Sequence, residues 1–283
     1  MNFVCKCGAI LFSLFALCAC AVRYPNTSAG LNVESTTELP EALSETSGLF
    51  CEKETLLSLN DSGNDPVIFT LDYKGNIVNQ SGLGVDNKDW EAITADETFY
   101  YIADVGNNKG RREQVEIYQV SKHSPEQHAT ITLRYAGNDS SNNIPYAHDY
   151  DSEAMVKVSD DLLLFSKSWR TGITHVYHVN EAQPEQMLSP IGLIKGLPGV
   201  VTGVDFDKTR NLFVLVGYKS DPFGNFATFM AQVSLSYEVI NVWPLENFKQ
   251  VEGVCVDSIG DYWFSEEATE GRAASLSRAV ITQ

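Results

Sequence analysis

The sequence predicts an all-β chain, and two observations carry this prediction. Short runs rich in β-branched and aromatic residues are bounded by Gly, Asn, Asp and Pro, and no segment keeps a helical period. In addition, one unit recurs five times: a small residue, a short β-run, a polar turn and a second apolar strand. The small residues that mark the five units are Gly48, Ala92, Ala154, Gly203 and Gly253.

The units lie 44, 62, 49 and 50 residues apart, a period typical of β-propeller blades. Unit one continues with two further strands, VIFTLD and NIVNQSGL, and units two to four have similar pairs. Unit five has only three strands, so we expect the segment LNVESTTEL (31–39) to supply the fourth and close the ring. The sequence therefore predicts a single β-propeller of five four-stranded blades. Six blades is the alternative, because the longest interval has room for extra strands.

The first nineteen residues have the features of a signal peptide. Lys6 supplies a positive start, and the apolar stretch GAILFSLFAL is too short to span a bilayer as a helix. The segment LCAC (17–20) resembles a lipobox, which predicts a lipid on Cys20; the alternative is an ordinary signal peptide whose cysteines are incidental. Residues 20–40 are then the lipidated Cys and a flexible tether, and residues 41–283 are the propeller domain.

The residues around the anchor and the net charge limit location and partners. Ala21, rather than Asp, follows Cys20, as in lipoproteins that Gram-negative bacteria sort to the outer membrane. We therefore expect a lipid-anchored protein at the outer membrane that faces the periplasm or the surface. The chain has 37 acidic and 20 basic residues, and this net charge of −17 argues against a nucleic-acid partner. It permits a metal ion, a cationic ligand or a basic partner protein, although acidity also serves solubility.

The first strand of each propeller blade lines the central channel. The residue just before each small residue should therefore face one shared point, and these residues are Ser47, Glu91, Glu153, Thr202 and Glu252. The ends of the second strands predict a second ring of channel residues, which are Asp61, Asp104, Lys167, Tyr218 and Glu266. Lys167 is the one cation among these acids, and it lowers the cost of gathering negative charge.

Converging carboxylates suit Ca²⁺, which takes six to eight oxygen ligands. The candidate metal ligands are Asp89, Glu91, Asp104, Glu153 and Glu252. The alternative is structural: the three glutamates accept hydrogen bonds from backbone N–H groups of a neighbouring blade, with no metal. No Cys or His cluster with zinc spacing occurs outside the signal peptide.

Signals for catalysis are few. The segment HDYDSE (148–153) offers His148 and Asp151 for metal binding or proton transfer, although a His beside acids is more often simply paired. Arg111 and Arg112 could hold an anion, although such a segment is more often a turn with a solvated basic end. The sequence has no G-x-S-x-G elbow and no H-E-x-x-H helix.

Two cysteines remain beyond the signal segment, Cys51 and Cys255, in the first strands of units one and five. Closing the ring makes these units neighbours. A disulfide that joins the first and last blades is one hypothesis in an oxidising compartment, and two buried free thiols are the alternative.

Five motifs resemble those of a known family. They are NDSGN (60–64), KDWEAIT (88–94), ADVGNNKGRR (103–112), DSEAM (151–155) and VTGVDFD (201–207). In this order they resemble bacterial propellers of the SdiA-regulated and esterase-like phytase type, over most of residues 44–220. Asn107 stands where those sequences often have Asp, a departure that bears on metal affinity more than on fold.

Two classes of function follow. The absence of a catalytic motif favours a lipid-anchored propeller that binds a small-molecule ligand, a metal or a partner protein at an acidic channel mouth, without catalysis. The alternative is a calcium-dependent hydrolase of a phosphoester, ester or lactone. In that case the channel carboxylates hold Ca²⁺, His148 or an acid is the general base, and Lys167, Arg111 and Arg112 neutralise the substrate.

Overall fold

Five antiparallel sheets make up the protein, as seen in a computed structural model that describes residues 29–221 and 223–282. The predicted signal peptide and Cys20 lie outside the described residues. From the channel outward the strands are β2 (Thr46–Cys51), β3 (Leu56–Asn60), β4 (Val67–Leu71) and β5 (Ile77–Gly82) in blade one; β6 (Trp90–Ala95), β7 (Phe99–Asp104), β8 (Val115–Ser121) and β9 (His128–Tyr135) in blade two; β10 (Ser152–Val158), β11 (Asp161–Ser166), β12 (Thr174–Val179) and β14 (Gly192–Ile194) in blade three; β15 (Val200–Asp207), β16 (Leu212–Ser220), β17 (Phe226–Val233) and β18 (Val239–Pro244) in blade four; and β19 (Val251–Val256), β20 (Tyr262–Glu266), β21 (Ser275–Thr282) and β1 (Gly30–Glu38) in blade five.

The first strands form the inner ring. Each one packs against the first strands of the two neighbouring blades, in the order β2, β6, β10, β15, β19 and back to β2. The predicted five-bladed β-propeller is confirmed, and the ring has five blades rather than six.

The small residue of each unit is explained by how closely the first strands approach. A Cβ atom on Gly48 would lie 2.7 Å from the backbone nitrogen of Ile93 in the next blade. A Cβ on Gly253 would likewise lie 2.7 Å from the carbonyl oxygen of Ser47. Real Cβ atoms do not make contacts this short, so any side chain at these two positions would push neighbouring blades apart.

The core is divided among the five blade junctions, because each sheet buries both of its faces. One cluster of buried apolar residues lies between each pair of adjacent blades. Trp90 fills the junction of blades one and two, and Phe264 fills that of blades four and five. Each such fully buried side chain contributes roughly 1.5–3 kcal/mol of hydrophobic stabilisation.

The last blade is completed by the N-terminal strand, as predicted. Strand β1 pairs antiparallel with β21 from Gly30 opposite Thr282 to Glu38 opposite Ser275. Residues 30–38 fall within the range that the sequence assigned to the flexible tether, and in the structure they belong to blade five. A short 3-10 helix, Glu41–Leu43, then leads into β2.

A disulfide joins blade one to blade five. Cys51 in β2 and Cys255 in β19 are bonded, with their Cα atoms 5.4 Å apart and 204 residues between them in sequence. In the loop-entropy view, a cross-link over so long a loop stabilises the folded state by up to about 5 kcal/mol.

Blade two has an additional strand. Strand β13 (Glu185–Leu188) lies on its outer edge, parallel to β9, although it comes from the segment between the last two strands of blade three. This segment therefore links the outer edges of blades two and three. Among the described residues, no helix is both long and apolar enough to cross a membrane.

Candidate functional site

A β-bulge interrupts the first strand of every blade at the same place. In blade two, Trp90 pairs with Asp104 and Ala92 with Ala103, so Glu91 is the extra residue. The bulge re-aims this side chain toward the channel. The extra residues in the five blades are Ser47, Glu91, Glu153, Thr202 and Glu252, the predicted ring.

These side chains meet at one end of the channel, in a cavity of about 200 Å³ that we call the mouth. Four of the five bulge residues line it, and Thr202 lies deeper. The other lining residues come from the ends of the second strands and from loops. The full set is Ser47, Asp61, Glu91, Asn108, Tyr146, Glu153, Lys167, Trp169, Tyr218, Gln250, Glu252 and Glu267.

Lys167 is the buried cation of the mouth. Its Nζ forms an ion pair with the Glu153 carboxylate and donates to the Tyr218 hydroxyl at 3.2 Å. The Nζ also lies 5.0 Å from the centre of the Trp169 ring and 5.2 Å from that of Tyr218. Burial disfavours the ammonium, but the nearby carboxylates outweigh burial and raise the pKa of Lys167 well above its ordinary value.

Three other carboxylates form a separate group beside it. One oxygen each from Asp61, Asp89 and Glu91 lies within 4.8 Å of the other two. Glu91 is only 5 % exposed, and among the described residues its carboxylate has a single hydrogen-bond partner, the Ser47 hydroxyl at 3.4 Å. That hydroxyl has one hydrogen and lies nearer, at 2.9 Å, to the backbone oxygen of Glu91. The buried carboxylate of Glu91 is therefore nearly unpaired.

Gly106 makes room for this group. A Cβ atom at position 106 would lie 2.2 Å from Glu91 Oε1 and 2.5 Å from the Asp89 carboxylate. Burial, followed by the charge of Asp61, raises the pKa of Asp89 to about 7. Burial and the charge of Glu153 raise the pKa of Glu91 well above its ordinary value. These carboxylates are thus held together at an electrostatic cost that a cation would relieve.

The second predicted ring is only partly formed. In each blade, the equivalent position of the second strand lies two residues beyond the residue that pairs with the small residue. These positions are Asp61, Val105, Lys167, Tyr218 and Glu267. Asp61, Lys167 and Tyr218 line the mouth as predicted. Asp104 and Glu266, also assigned to this ring, are one position short of it, and one step along a strand turns a side chain to the opposite face.

Asp104 and Glu266 therefore form ion pairs outside the mouth. Asp104, a predicted metal ligand, is fully buried and accepts from Arg112 at 2.6 Å and from the Lys88 backbone N–H at 3.1 Å. Glu266 accepts from the Lys249 backbone N–H at 2.6 Å and pairs with Arg272 at 3.0 Å. Both carboxylates fix the start of the first strand of their own blade.

The arginines predicted to hold an anion do not reach the mouth. Arg112 is committed to Asp104 and to the backbone oxygen of Gly106, at 2.9 Å. Arg111 donates to the backbone oxygens of Ser140 and Ser141.

The two catalytic candidates are also fully engaged. The His148 Nδ1 accepts from the Tyr150 backbone N–H, so its Nε2 carries the hydrogen and donates to the Asn108 backbone oxygen at 3.2 Å. Asp151 is fully buried and accepts from Trp169 Nε1 at 2.8 Å and from the Asn107 backbone N–H at 2.6 Å. Neither side chain lines the mouth.

At the bulges, hydroxyl groups donate the hydrogen bonds that reach the backbone of a neighbouring blade. Ser47 donates to the backbone of blade two, and Thr202 donates to the Val251 backbone oxygen in blade five at 2.5 Å. Within residues 29–221 and 223–282, no backbone N–H donates to the side chain of Glu91, Glu153 or Glu252. The capping role considered for these glutamates therefore has no hydrogen bonds to support it.

Several mouth residues were not predicted from the sequence. Glu267 follows from strand pairing, which sequence spacing does not reveal. Asn108, Tyr146 and Trp169 come from loops that reach over the mouth. Tyr146 donates its backbone N–H to the Asn108 backbone oxygen and has a positive φ of 55°, which is uncommon for a non-glycine residue. This backbone conformation is visible in the structure and is not indicated by the sequence.

Solved structures share the fold at low sequence identity. The PQQ-bound aldose sugar dehydrogenase from Streptomyces coelicolor aligns with a TM-score of 0.52 and 9 % identity, over 90 % of this chain and 98 % of that one. The GH43B protein of a xyloglucan locus from Bacteroides ovatus aligns with a TM-score of 0.54 and 8 % identity, over 88 % of this chain and 54 % of that one. No family model and no curated protein matches the sequence. The similarity supports the propeller fold alone, and the family resemblance seen in the motifs stays a prediction.

Proposed function

We propose that the protein is a non-enzymatic binding propeller whose mouth holds Ca²⁺ on Asp61, Asp89 and Glu91. The observation that carries this proposal is the approach of three carboxylate oxygens within 4.8 Å of one another, with Glu91 buried and nearly unpaired. Carboxylate oxygens are the ligands that Ca²⁺ prefers.

The surroundings fit such an ion. Gly106 leaves space for two of the carboxylates, space that any side chain would fill. Because Ca²⁺ takes six to eight oxygens, three carboxylates leave positions for oxygens of water or of a bound ligand. A cation here would also offset the mutual repulsion that raises the pKa of Asp89 and Glu91.

The geometry favours binding over hydrolysis. Both ring nitrogens of His148 and both carboxylate oxygens of Asp151 are occupied by hydrogen bonds within the protein. The arginines that would neutralise a substrate anion point elsewhere. The calcium-dependent hydrolase therefore has no positioned base among the residues assigned to it.

The proposal includes a lipid anchor on Cys20 at the outer membrane. Strand β1 supports a definite orientation: Glu38 pairs with Ser275, which pairs with Glu266 at the mouth end, so Gly30 lies at the opposite end. A tether that precedes Gly30 leaves from the face opposite the mouth, which then opens away from the membrane. The variant Cys20→Ser should move the protein from the membrane to the soluble periplasmic fraction.

Calorimetric titration of the purified protein with Ca²⁺ tests the metal site. We expect saturable binding that is lost in Asp61→Asn and in Glu91→Gln, and retained in Asp65→Asn, which changes an exposed acid nearby. Thermal melts of the same variants report whether each one folds. Absence of Ca²⁺ binding in the folded wild-type protein would overturn the proposed metal site.

A further inference from the structure

The mouth has more carboxylates than cations. Five acids line it, and Lys167 is paired with one of them, Glu153. Among the residues that the structure describes, the other four have no salt bridge. They are Asp61, Glu91, Glu252 and Glu267. Ca²⁺ on the first two would still leave Glu252 and Glu267 without a salt bridge, and Lys167 acts on them only from a longer distance.

Glu252 and Glu267 lie on one wall of the mouth, beside Gln250. Within the described part of the chain, the Gln250 amide, which donates at 2.8 Å, is the one hydrogen-bond donor to the Glu267 carboxylate. Burial, followed by the charges of Glu252 and Asp61, raises the pKa of Glu267 to about 9. The two neighbouring carboxyl groups without a salt bridge therefore suit a positive group that enters from solvent, and its charge favours release of the Glu267 proton.

The other wall is aromatic and ends in an unused acceptor. Tyr146 packs edge-on against Trp169, with ring centres 5.3 Å apart, and is 56 % exposed. The side-chain oxygen of Asn108 is buried and has no hydrogen-bond partner in the part of the chain that the structure describes. Lys167 already shows that this kind of wall accepts an ammonium group, because its Nζ lies near the faces of Trp169 and Tyr218 while it pairs with Glu153.

Exposed apolar side chains occur in loops on the mouth side of the propeller. Ile144, two residues before the lining residue Tyr146, is 67 % exposed, and Phe223 is 89 % exposed. Phe223 belongs to the turn between β16 and β17, which begins just beyond Tyr218 and so lies on the mouth side. The cavity of about 200 Å³ suits a single side chain, and the exposed apolar residues provide contact area that a free amine would not reach.

We propose that the mouth is a docking site for a basic partner protein, which inserts a lysine side chain between Glu252 and Glu267 on one wall and Tyr146 and Trp169 on the other. Charge complementarity selects the partner, and the apolar rim of Ile144, Tyr146 and Phe223 packs against its surface. This inference rests on the binding function proposed above, but it does not require Ca²⁺.

The test uses full-length protein in a non-ionic detergent with EDTA, so that failure of the metal site cannot affect it. The probe is the fluorescent peptide acetyl-Leu-Gly-Lys-Gly-Leu-amide, followed by anisotropy, and the comparison ligands are its acetyl-lysine form and n-butylamine as a competitor. We expect saturable binding of the lysine peptide, none of the acetyl-lysine peptide, and competition by n-butylamine only at concentrations at least tenfold above the peptide Kd.

Single substitutions test which residues bind the lysine peptide. Glu267→Gln should weaken peptide binding at least fivefold, whereas Glu270→Gln, an exposed acid outside the mouth, should leave it unchanged. Tyr146→Ala should weaken the peptide more than it weakens n-butylamine. Thermal melts verify that each variant folds.

Three outcomes would overturn the inference: no binding of the lysine peptide, equal binding of the acetyl-lysine peptide, or n-butylamine as tight as the peptide. The last would indicate a site for free amines and not a docking surface. A positive peptide result together with a negative calcium titration would retain the docking site and remove the metal.

Discussion

Two acids that are neighbours in sequence, Glu266 and Glu267, have opposite surroundings. Glu266 is fully buried, paired with Arg272 and bonded to a backbone N–H. Glu267 faces the mouth, where its neighbours are other carboxylates. The same contrast separates Asp104, paired with Arg112, from Asp61, which has no salt bridge among the described residues. The strand ends thus hold one set of acids that stabilises the ring and a second set that is available to a ligand.

The largest expected effect is the loss of a paired acid. Asp104→Asn removes the charge that Arg112 and the Lys88 backbone N–H require, and should lower the free energy of unfolding by about 3 kcal/mol. Asp61→Asn should change it by less than about 0.5 kcal/mol, because Asp61 has no cationic partner to lose. Urea denaturation of the two variants measures both values. Equal losses would mean that the two sets of acids are not distinct.

Gly106→Ala sharpens the contrast at the metal site. The new Cβ would enter the space of the Glu91 and Asp89 carboxylates, so the affinity for Ca²⁺ should fall at least tenfold, or about 1.4 kcal/mol. The matched control is Gly84→Ala, because a Cβ at position 84 meets no atom within 4 Å. Calorimetry of both variants checks this, and unchanged affinity in Gly106→Ala would place the metal elsewhere.

The pH dependence of Ca²⁺ affinity should reflect the protonation of the carboxylates that have no salt bridge among the described residues. Asp89, with its pKa raised to about 7, must lose its proton before it binds a metal. Affinity for Ca²⁺ should therefore rise about tenfold between pH 6 and pH 8, with release of a proton on binding. Titrations in buffers of different ionisation enthalpy count that proton. In Asp89→Asn the remaining binding should show a weaker pH dependence over this range.

The smallest expected effect is a gain in stability. Because the pKa of Glu267 in the folded protein is about 9 and its ordinary value is 4.5, the folded state keeps a proton that the unfolded chain loses. The free energy of unfolding that this group contributes therefore falls as pH rises from 4.5 to 9.

Glu267→Gln removes that dependence and should stabilise the free protein by about 1 kcal/mol at pH 7. Glu266→Gln is the matched control and should destabilise it, since Arg272 loses its partner. Urea denaturation from pH 5 to pH 9 compares them. If both variants shift the free energy of unfolding in the same direction, the distinction between ion-paired acids and acids available to a ligand is wrong.

The sequence was sufficient for the fold because its signals repeat. Five small residues marked the five first strands, and the residue before each one, predicted to face the channel, is the extra residue of a bulge in the structure. The missing strand of unit five led to β1, and the two cysteines beyond the signal segment lie where the structure forms a disulfide. Each of these inferences used a feature that recurs or that geometry requires once the ring is closed.

The second ring was harder because turn lengths differ among the blades. The partner of the small residue lies 11 positions along the chain in blade three, from Ala154 to Phe165. In blade five it lies 12 positions along, from Gly253 to Ser265. Sequence spacing aligned Lys167 with Glu266, whereas strand pairing aligns it with Glu267. Loop residues such as Tyr146 had no repeat to reveal them.

Closure of blade five also determines when the ring can finish folding. Among the strands that the structure describes, β1 pairs with β21 alone, and these are the first and the last of them. A chain synthesised from its N-terminus must keep β1 without its partner until residues 275–282 have been made, and Cys51 must likewise wait for Cys255. A chain truncated before β21 would leave two blade edges open and exposed to proteases. Closure of the ring thus requires every strand from β1 to β21.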